Sequence, residues 1–275
     1  MEKMRDIIIG MLVAIGLTGC EKDISIDYHD MEQQLYVVEG LMSNIRTIVR
    51  VSKTQPMTGA ADSAYYVADA TVVVTAGDTL RDTLAHTGRG YYAATRLSGK
   101  PGTTYQLDVS VGGRRFTSTS VMQQQPVMNS FRFVWKEVFG RRILFADVRL
   151  QDIAGETNYY YLHLYRNDLA YRSAVIRDRG NPGGELQQLF SLCMEDDLNG
   201  GSPTSRETLW ENDRLKLEVR SIDRRAYDYL YSTITMESSN TNPIANFSGG
   251  CLGYFSAFGQ TTHYYTFHEA DIEKE

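Results

Sequence analysis

The chain has 275 residues, of which 42% are hydrophobic and 23% charged, and its formal net charge is −6 at pH 7. An acidic protein is poorly suited to bind phosphate backbones, so the charge argues against nucleic acid as a partner. The length is sufficient for one large core or two ordinary ones, and no apolar run after the N-terminal segment reaches the roughly 20 residues that span a bilayer.

The N-terminal segment has the pattern of a lipoprotein signal peptide. Two basic residues precede an apolar stretch from Ile7 to Leu17, and the small residues Thr18 and Gly19 lead to Cys20. We predict that the peptide before Cys20 is removed and that acyl chains on this cysteine anchor the protein to a lipid bilayer. The alternative is a secretory signal followed by a chance cysteine.

A polar stretch follows Cys20 and begins with Glu21-Lys22-Asp23. It is either a solvated linker between lipid and fold, or the surface-export signal of Bacteroidota lipoproteins, which its lysine and acidic residues resemble. The second of these interpretations predicts a protein that faces the cell surface.

Short β-rich runs begin at Leu35 and alternate with turn residues, as in sandwiches and barrels. The clearest run is Thr104 to Val111, in which every second residue is apolar, as expected for a half-buried strand. Gly112 and Gly113 follow and can form a tight hairpin. About seven strands fit before position 122, the number in an immunoglobulin-like sandwich.

The strongest boundary signal is Gln123-Gln124-Gln125-Pro126, because it is polar and its proline cannot donate a hydrogen bond to a strand. Further strands are predicted after it, including Arg214 to Ile222, in which apolar and charged residues alternate.

One helix is predicted after Asp223, which can cap its N-terminus. Tyr227, Leu230, Tyr231 and Ile234 follow with helical spacing, so we expect them to pack on the second sheet. The sequence therefore predicts an all-β protein, an N-terminal immunoglobulin-like sandwich followed by a second β-rich domain with one short helix. The predicted segments are a signal peptide (1–19), a lipidated tether (20–34), a sandwich (35–123) and a second domain (127–275) with its helix near 224–237.

Three segments, Val37–Gly40, Asn158–Leu162 and Asn246–Ala257, carry a resemblance to a known family. They resemble, in the same order and across nearly the whole mature chain, the Bacteroidota envelope lipoproteins called domain of unknown function 4249. The resemblance implies an outer-membrane lipoprotein, often encoded beside a TonB-dependent receptor, and it supplies no catalytic residues. Cys193 and Cys251 depart from the family pattern.

Cys193 and Cys251 are the thiols that remain once Cys20 is acylated. An oxidising compartment permits a disulfide between them, which would close a long loop. The alternative is two separately buried cysteines that act as small hydrophobic residues.

Glu195, Asp197, Asn199 and Gly200 resemble part of a calcium-binding loop. Such a loop needs a carboxylate at its twelfth position, which here is Arg206, so a polar Asx-Gly turn is the favoured interpretation.

The histidines have no spacing typical of a zinc protease: His29, His86, His163, His263 and His268. His263 and His268 lie near Glu269 and Asp271, but solvated tail residues are the favoured interpretation. Ser256 lies among glycines in a spacing that misses the nucleophile elbow, so it is expected to pack. We therefore predict no catalytic residue, metal or cofactor.

The chain has 18 tyrosines and only two tryptophans, which raises the hypothesis of an aromatic recognition surface. Tyrosine doublets place one ring on each face of a strand, so one ring of each pair can be exposed: Tyr65-Tyr66, Tyr91-Tyr92 and Tyr264-Tyr265. Filling of the core and of sheet edges is the favoured interpretation, since tyrosine is a good strand residue.

The leading functional prediction is a non-enzymatic accessory or ligand-binding partner of a TonB-dependent nutrient-uptake receptor. A structural or adhesive cell-surface protein is the alternative. An enzyme ranks third, because the sequence contains no recognisable nucleophile, metal or phosphate motif.

Overall fold

The computed structural model describes residues 34–55, 65–77, 80–178, 183–235 and 243–273. The predicted signal peptide, Cys20, His29 and the tether up to position 33 lie outside these described residues. From Leu35 onward the chain forms one compact unit.

The described residues form sixteen strands, one α-helix and two short 3-10 helices, Glu195–Asp197 and Glu269–Asp271. The strands and the helix are β1 (Tyr36–Ser43), β2 (Thr47–Lys53), β3 (Thr71–Ala76), β4 (Leu80–Thr83), β5 (Ala85–Gly88), β6 (Tyr91–Ala93), β7 (Thr104–Val111), β8 (Arg114–Val121), β9 (Val127–Val138), β10 (Arg141–Gln151), β11 (Tyr159–Arg166), β12 (Leu169–Arg177), β13 (Glu185–Met194), β14 (Arg214–Ile222), α1 (Arg224–Thr235), β15 (Leu252–Thr266) and β16 (Ile272–Glu273).

The strands form one long sheet and two short ones. The eight-stranded sheet has the order β12-β11-β14-β15-β1-β2-β6-β5, and the four-stranded sheets have the orders β4-β3-β7-β8 and β13-β10-β9-β16. The predicted all-β class is therefore confirmed. None of the helices in the described part of the chain has the length and apolar character needed to span a bilayer.

The first core lies between the β4-β3-β7-β8 sheet and the β15-β1-β2-β6 part of the long sheet. The alternation predicted for Thr104 to Val111 is confirmed, since Tyr105, Leu107 and Val109 are buried there. The predicted Gly-Gly hairpin also forms, with both glycines at positive φ.

The second core lies between the β13-β10-β9-β16 sheet and the β12-β11-β14 part of the long sheet. It is filled by alternate residues of its central strands, among them Leu144 and Val148 of β10, Leu162 of β11 and Leu217 of β14.

Strand β15 belongs to both halves of the molecule. Residues 252–258 pair in parallel with β1, whereas residues 259–266 pair antiparallel with β14. Phe255 and Ala257 are buried in the first core, although the predicted boundary places them in the second domain. The predicted boundary at positions 123–127 therefore does not separate the residues of the two cores, because the distant strand β15 completes the first core.

Helix α1 begins as predicted, because the Asp223 carboxylate accepts a hydrogen bond of 2.8 Å from the Ala226 N–H. The predicted apolar stripe is correct in part. Ala226 is fully buried and Tyr227 nearly so, but Tyr231 and Ile234 are each 49% exposed. The helix lies on the side of the long sheet opposite both cores, where it contacts β15, β11 and the edge strand β12. Its later turns carry the exposed Tyr231 and Ile234.

Gly253 shows how closely β1 and β15 approach. Its φ is +99°, and a Cβ there would lie 2.0 Å from the Val38 carbonyl oxygen. We expect Gly253→Ala to lower the free energy of unfolding by about 3 kcal/mol or more, because it adds both backbone strain and a clash. Gly113→Ala is the control: its φ is +72° but nothing lies within 4 Å, so about 1 kcal/mol is expected. Equal losses in urea unfolding would contradict the role of crowding.

Candidate functional site

The candidate site lies on the outer face of the eight-stranded sheet, which is the face turned away from both cores. In β11, alternate residues Tyr160, Leu162 and Leu164 are buried in the second core, so Tyr161 and His163 point to the outer face. The same alternation in β14 sends its leucines and valine inward and its charged residues outward.

The register of three strands brings these side chains into three rows across the outer face. Each row takes one residue from β11, one from β14 and one from β15: Tyr165–Lys216–Tyr264, His163–Glu218–Thr262 and Tyr161–Arg220–Gln260. We call the six residues from β11 and β14 the outer-face cluster. An aromatic ring thus lies directly opposite each charge, which is an arrangement that stabilises paired strands.

Glu218 is the centre of the outer-face cluster and is buried. Its carboxylate accepts hydrogen bonds from Arg220 at 2.8 Å, Lys216 at 3.1 Å and the Tyr165 hydroxyl at 3.5 Å. Burial opposes its ionisation, but the two cations outweigh burial and hold its pKa below the usual value.

The cations also lie over aromatic rings. The Lys216 ammonium is 3.9 Å from the centre of the Tyr165 ring, and the Arg220 guanidinium is 4.9 Å from that of Phe258. The His163 ring stacks on Tyr165 at 4.0 Å. These contacts fix the positions of the charged groups, because a ring face attracts a cation.

His163 is neutral at neutral pH. Burial and the adjacent Arg220 lower its pKa to about 4, although Glu218 opposes this shift. Burial and the same carboxylate raise the pKa of Tyr165 to about 12. Glu218 is therefore charged, while its aromatic neighbours remain uncharged hydrogen-bonding groups.

The cluster continues into a depression of about 240 Å³ at the edge of the outer face. Lys216, Tyr264, Arg214 and Asp168 line it, and the Tyr264 side chain is 76% exposed. This exposed ring and the Lys216 ammonium give a ligand both an apolar surface and a positive charge to contact.

Comparison with models of protein families gives a match over most of the chain. Residues 21–264 match the model of the family described as Domain of unknown function (DUF4249). The chain belongs to the DUF4249 family. A comparison with curated proteins gives no match.

The three segments that resemble DUF4249 proteins each contribute strand residues to the long sheet. Val37–Gly40 belongs to β1 and pairs with the start of β15, where Gly40 is opposite Phe255. A Cβ on Gly40 would lie 2.8 Å from that ring. Tyr159 and Tyr161 of the middle segment pack with Tyr254 of the tail segment beneath α1.

The candidate disulfide of this DUF4249 protein is not formed. Cys251 is a free thiol in the first core and Cys193 is a free thiol in the second. Burial raises the pKa of Cys193 to about 12 and that of Cys251 to about 11, so both stay protonated. The two cysteines are buried separately, as the alternative interpretation predicts. Each core encloses a different segment of the chain, so the two thiols lie in different cores.

The calcium-like segment forms a 3-10 helix and a turn. Glu195 pairs with Arg142 at 2.7 Å, and the Asn199 side chain accepts a hydrogen bond from the Glu211 N–H at 2.7 Å. The described residues contain no group of three or more side chains placed to hold a metal ion.

The prediction that His263 is a solvated tail residue is wrong, because it lies half-buried within β15. His268 is partly exposed and pairs with Glu211 at 2.7 Å. Ser256 packs as predicted and is buried.

Two of the three tyrosine doublets have one exposed ring, as the sequence hypothesis allowed. Tyr91 is exposed and Tyr92 buried, whereas Tyr264 is exposed and Tyr265 is half-buried. The outer-face cluster itself was missed, although its signal was present in the alternating charges of Arg214 to Ile222. The partners of these charges lie in β11, and only the strand register brings them together.

The lowered pKa of His163 predicts a pH dependence of stability. Its folded pKa of about 4 lies below the unfolded value of 6.5, so the unfolded state takes up the proton more readily. Stability should therefore decrease as the pH falls from about 6.5 to about 4, with a contribution of about 1–3 kcal/mol from this residue. Urea unfolding of wild type and His163→Gln across this range measures it, and the variant should show the smaller decrease.

His268→Gln is the control with the opposite sign. The pKa of His268 is raised, mainly by its hydrogen bond to Glu211, so its contribution to stability is present at low pH and lost as the pH rises. Removing it should make the decrease at acid pH steeper. Identical pH profiles for both variants would contradict the assignment to His163.

Proposed function

We propose that this DUF4249 protein is a lipid-anchored outer-membrane protein that serves a TonB-dependent nutrient-uptake receptor as a non-enzymatic, ligand-binding accessory. In this proposal acylated Cys20 holds the protein to the membrane at the cell surface, and the outer-face cluster contacts the ligand or the receptor.

The observation that carries the binding role is the organisation of charge on the outer face. Three charged side chains in alternate positions of β14 are held by each other and by aromatic rings, and Glu218 is largely removed from water. A sheet face that only contacts solvent has no need to bury a charged side chain. A face that packs in a core would carry apolar side chains, because burying a charge is costly. Arginine and tyrosine are also the residues that contribute most to binding at interfaces.

The cluster suits a polar ligand or receptor segment that combines hydrogen-bonding groups with a flat apolar surface. Lys216 and Tyr264 line the depression, and the Lys216 ammonium is held in place by its hydrogen bond to the Glu218 carboxylate. Such preorganised groups bind without first losing side-chain freedom.

Site-specific photo-crosslinking in native membranes tests this proposal. A photoreactive amino acid at Tyr264 should capture a TonB-dependent receptor, and Lys216→Ala should reduce the yield. The same group at Leu80, which is 53% exposed on β4, is the matched control and should not capture it. If the probe at Tyr264 never captures a receptor, this function is contradicted.

Membrane anchoring is tested separately. Cys20→Ser is expected to move the protein from the membrane fraction to the soluble fraction, because the acyl chains supply the membrane affinity. Full retention in the membrane fraction would contradict lipidation at this position. A deletion strain that loses surface attachment while nutrient uptake is unchanged would favour the adhesive alternative.

A further inference from the structure

The hairpin between β9 and β10 has an unusual tip. Five segments of the described chain have two or more consecutive residues at positive φ: Gly88-Arg89-Gly90, Gly112-Gly113, Phe139-Gly140, Asn167-Asp168 and Gly249-Gly250. Glycine, asparagine and aspartate are the residues that tolerate such turns. Phe139 at φ +50° and Arg89 at φ +49° are therefore outliers, and only Phe139 is a large apolar residue.

The Phe139 side chain is also fully exposed, at 102% of its reference area. It gains no burial within the fold that would offset its strained backbone. An exposed aromatic ring on a strained turn is the combination expected where a residue acts on something outside the fold.

Basic, aromatic and acidic side chains surround Phe139, since Glu137 lies opposite Arg142 on the hairpin and Glu195 and Asp196 line a depression with Arg141. Arg142 lies 4.9 Å from the ring centre of Trp135 and pairs with Glu195. Lys136 and Arg141 are exposed, and neither has a carboxylate partner within 4 Å among the described residues. Two cations thus flank the exposed ring with their charge uncompensated by an ion pair.

A lipid surface fits this tip better than a protein pocket. A stable protein interface needs an extended contact area of roughly 800 Å² on each partner. The other exposed large apolar side chain on β9 and β10 is Val127, at the opposite end of β9, so Phe139 has no apolar surround on its hairpin. A bilayer needs only an apolar ring to enter the acyl region and cations that reach the phosphates.

We propose that the β9–β10 hairpin tip is a membrane-contact site, in which Phe139 inserts into the bilayer interface while Lys136 and Arg141 contact lipid phosphates. The site lies on the second four-stranded sheet, so it is separate from the outer-face cluster. It rests on the proposed lipid anchor only in that the anchor brings the hairpin near a bilayer. On the anchored protein this contact would add to the membrane affinity that the acyl chains supply.

Vesicle binding tests the proposal without the anchor. The chain from position 20 onward, with Cys20→Ser, is sedimented with vesicles of phosphatidylethanolamine and phosphatidylglycerol. We expect measurable binding that Phe139→Asn weakens at least about tenfold, as expected from loss of a buried aromatic ring. The double change Lys136→Gln and Arg141→Gln should weaken binding to these vesicles more than to neutral phosphatidylcholine vesicles.

Phe139→Asn should also raise the midpoint of thermal unfolding, because Asn-Gly suits this turn. A loss of vesicle binding with a gain in stability cannot result from misfolding. Leu169→Asn is the matched control, since Leu169 is 71% exposed beside another tight turn, and vesicle binding should be unchanged.

Absence of vesicle binding by the wild-type chain, or equal binding by Phe139→Asn, would overturn the proposal. Capture of a protein by a photoreactive group at position 139, without vesicle binding, would overturn it in favour of a protein pocket. None of these results depends on receptor capture at Tyr264, so failure here and failure of the proposed function can be distinguished.

Discussion

Asn246→Ala is expected to lower the free energy of unfolding by about 2–5 kcal/mol. The Asn246 side chain is buried and makes two hydrogen bonds of 2.8 Å to Phe255, donating to its carbonyl oxygen and accepting from its N–H. The first half of β15 has a strand partner on one side, β1, so this amide takes the place of a second strand. Alanine would leave both backbone groups of Phe255 buried and unpaired.

Chemical denaturation measures this loss, and two further variants define its cause. Asn246→Asp should also destabilise, because a carboxylate would face the Phe255 carbonyl oxygen. Asn129→Ala, at an exposed asparagine that contacts Glu185, should change stability by no more than about 0.5 kcal/mol. A loss below about 1 kcal/mol for Asn246→Ala would show that β15 does not depend on this amide.

The fragment 35–123 is expected not to fold alone, although the sequence predicts it as a sandwich domain. It lacks β15, which pairs with β1 over seven residues and supplies Phe255 and Ala257 to the first core. Removing a buried phenylalanine costs about 3–5 kcal/mol, and total stability is only about 5–15 kcal/mol. Calorimetry should therefore show no cooperative unfolding of the fragment.

The chain 35–275 is the positive control and should unfold cooperatively. A peptide of residues 243–267 added to the fragment should restore structure, since an added strand can complete an open sheet. Cooperative unfolding of the fragment alone, near the temperature of the longer chain, would establish it as an independent domain and contradict this expectation.

Local patterns identified much of the secondary structure. The alternation in Thr104 to Val111, the Gly-Gly turn after it and the Asp223 cap each depend on neighbouring residues, so each could be read from the sequence. The exposed Ile234 was misassigned because helical spacing defines a stripe but not the length of sheet available to cover it.

The candidate site depended on long-range pairing. The charges of β14 were visible as one face of a strand, but their rings come from β11, about 50 positions earlier, and from β15, about 45 positions later. The free state of Cys193 and Cys251 likewise follows from two separate cores that spacing along the chain does not reveal.

By itself the sequence determined the all-β class, most strand faces and the helix start, because periodicity and capping act over a few residues. Tertiary structure alone decided that β15 joins both cores, that the outer-face charges meet their aromatic partners, and that Phe139 is displayed at a hairpin tip. These outcomes depend on which strands pair and in which register, and many distant contacts determine that choice together.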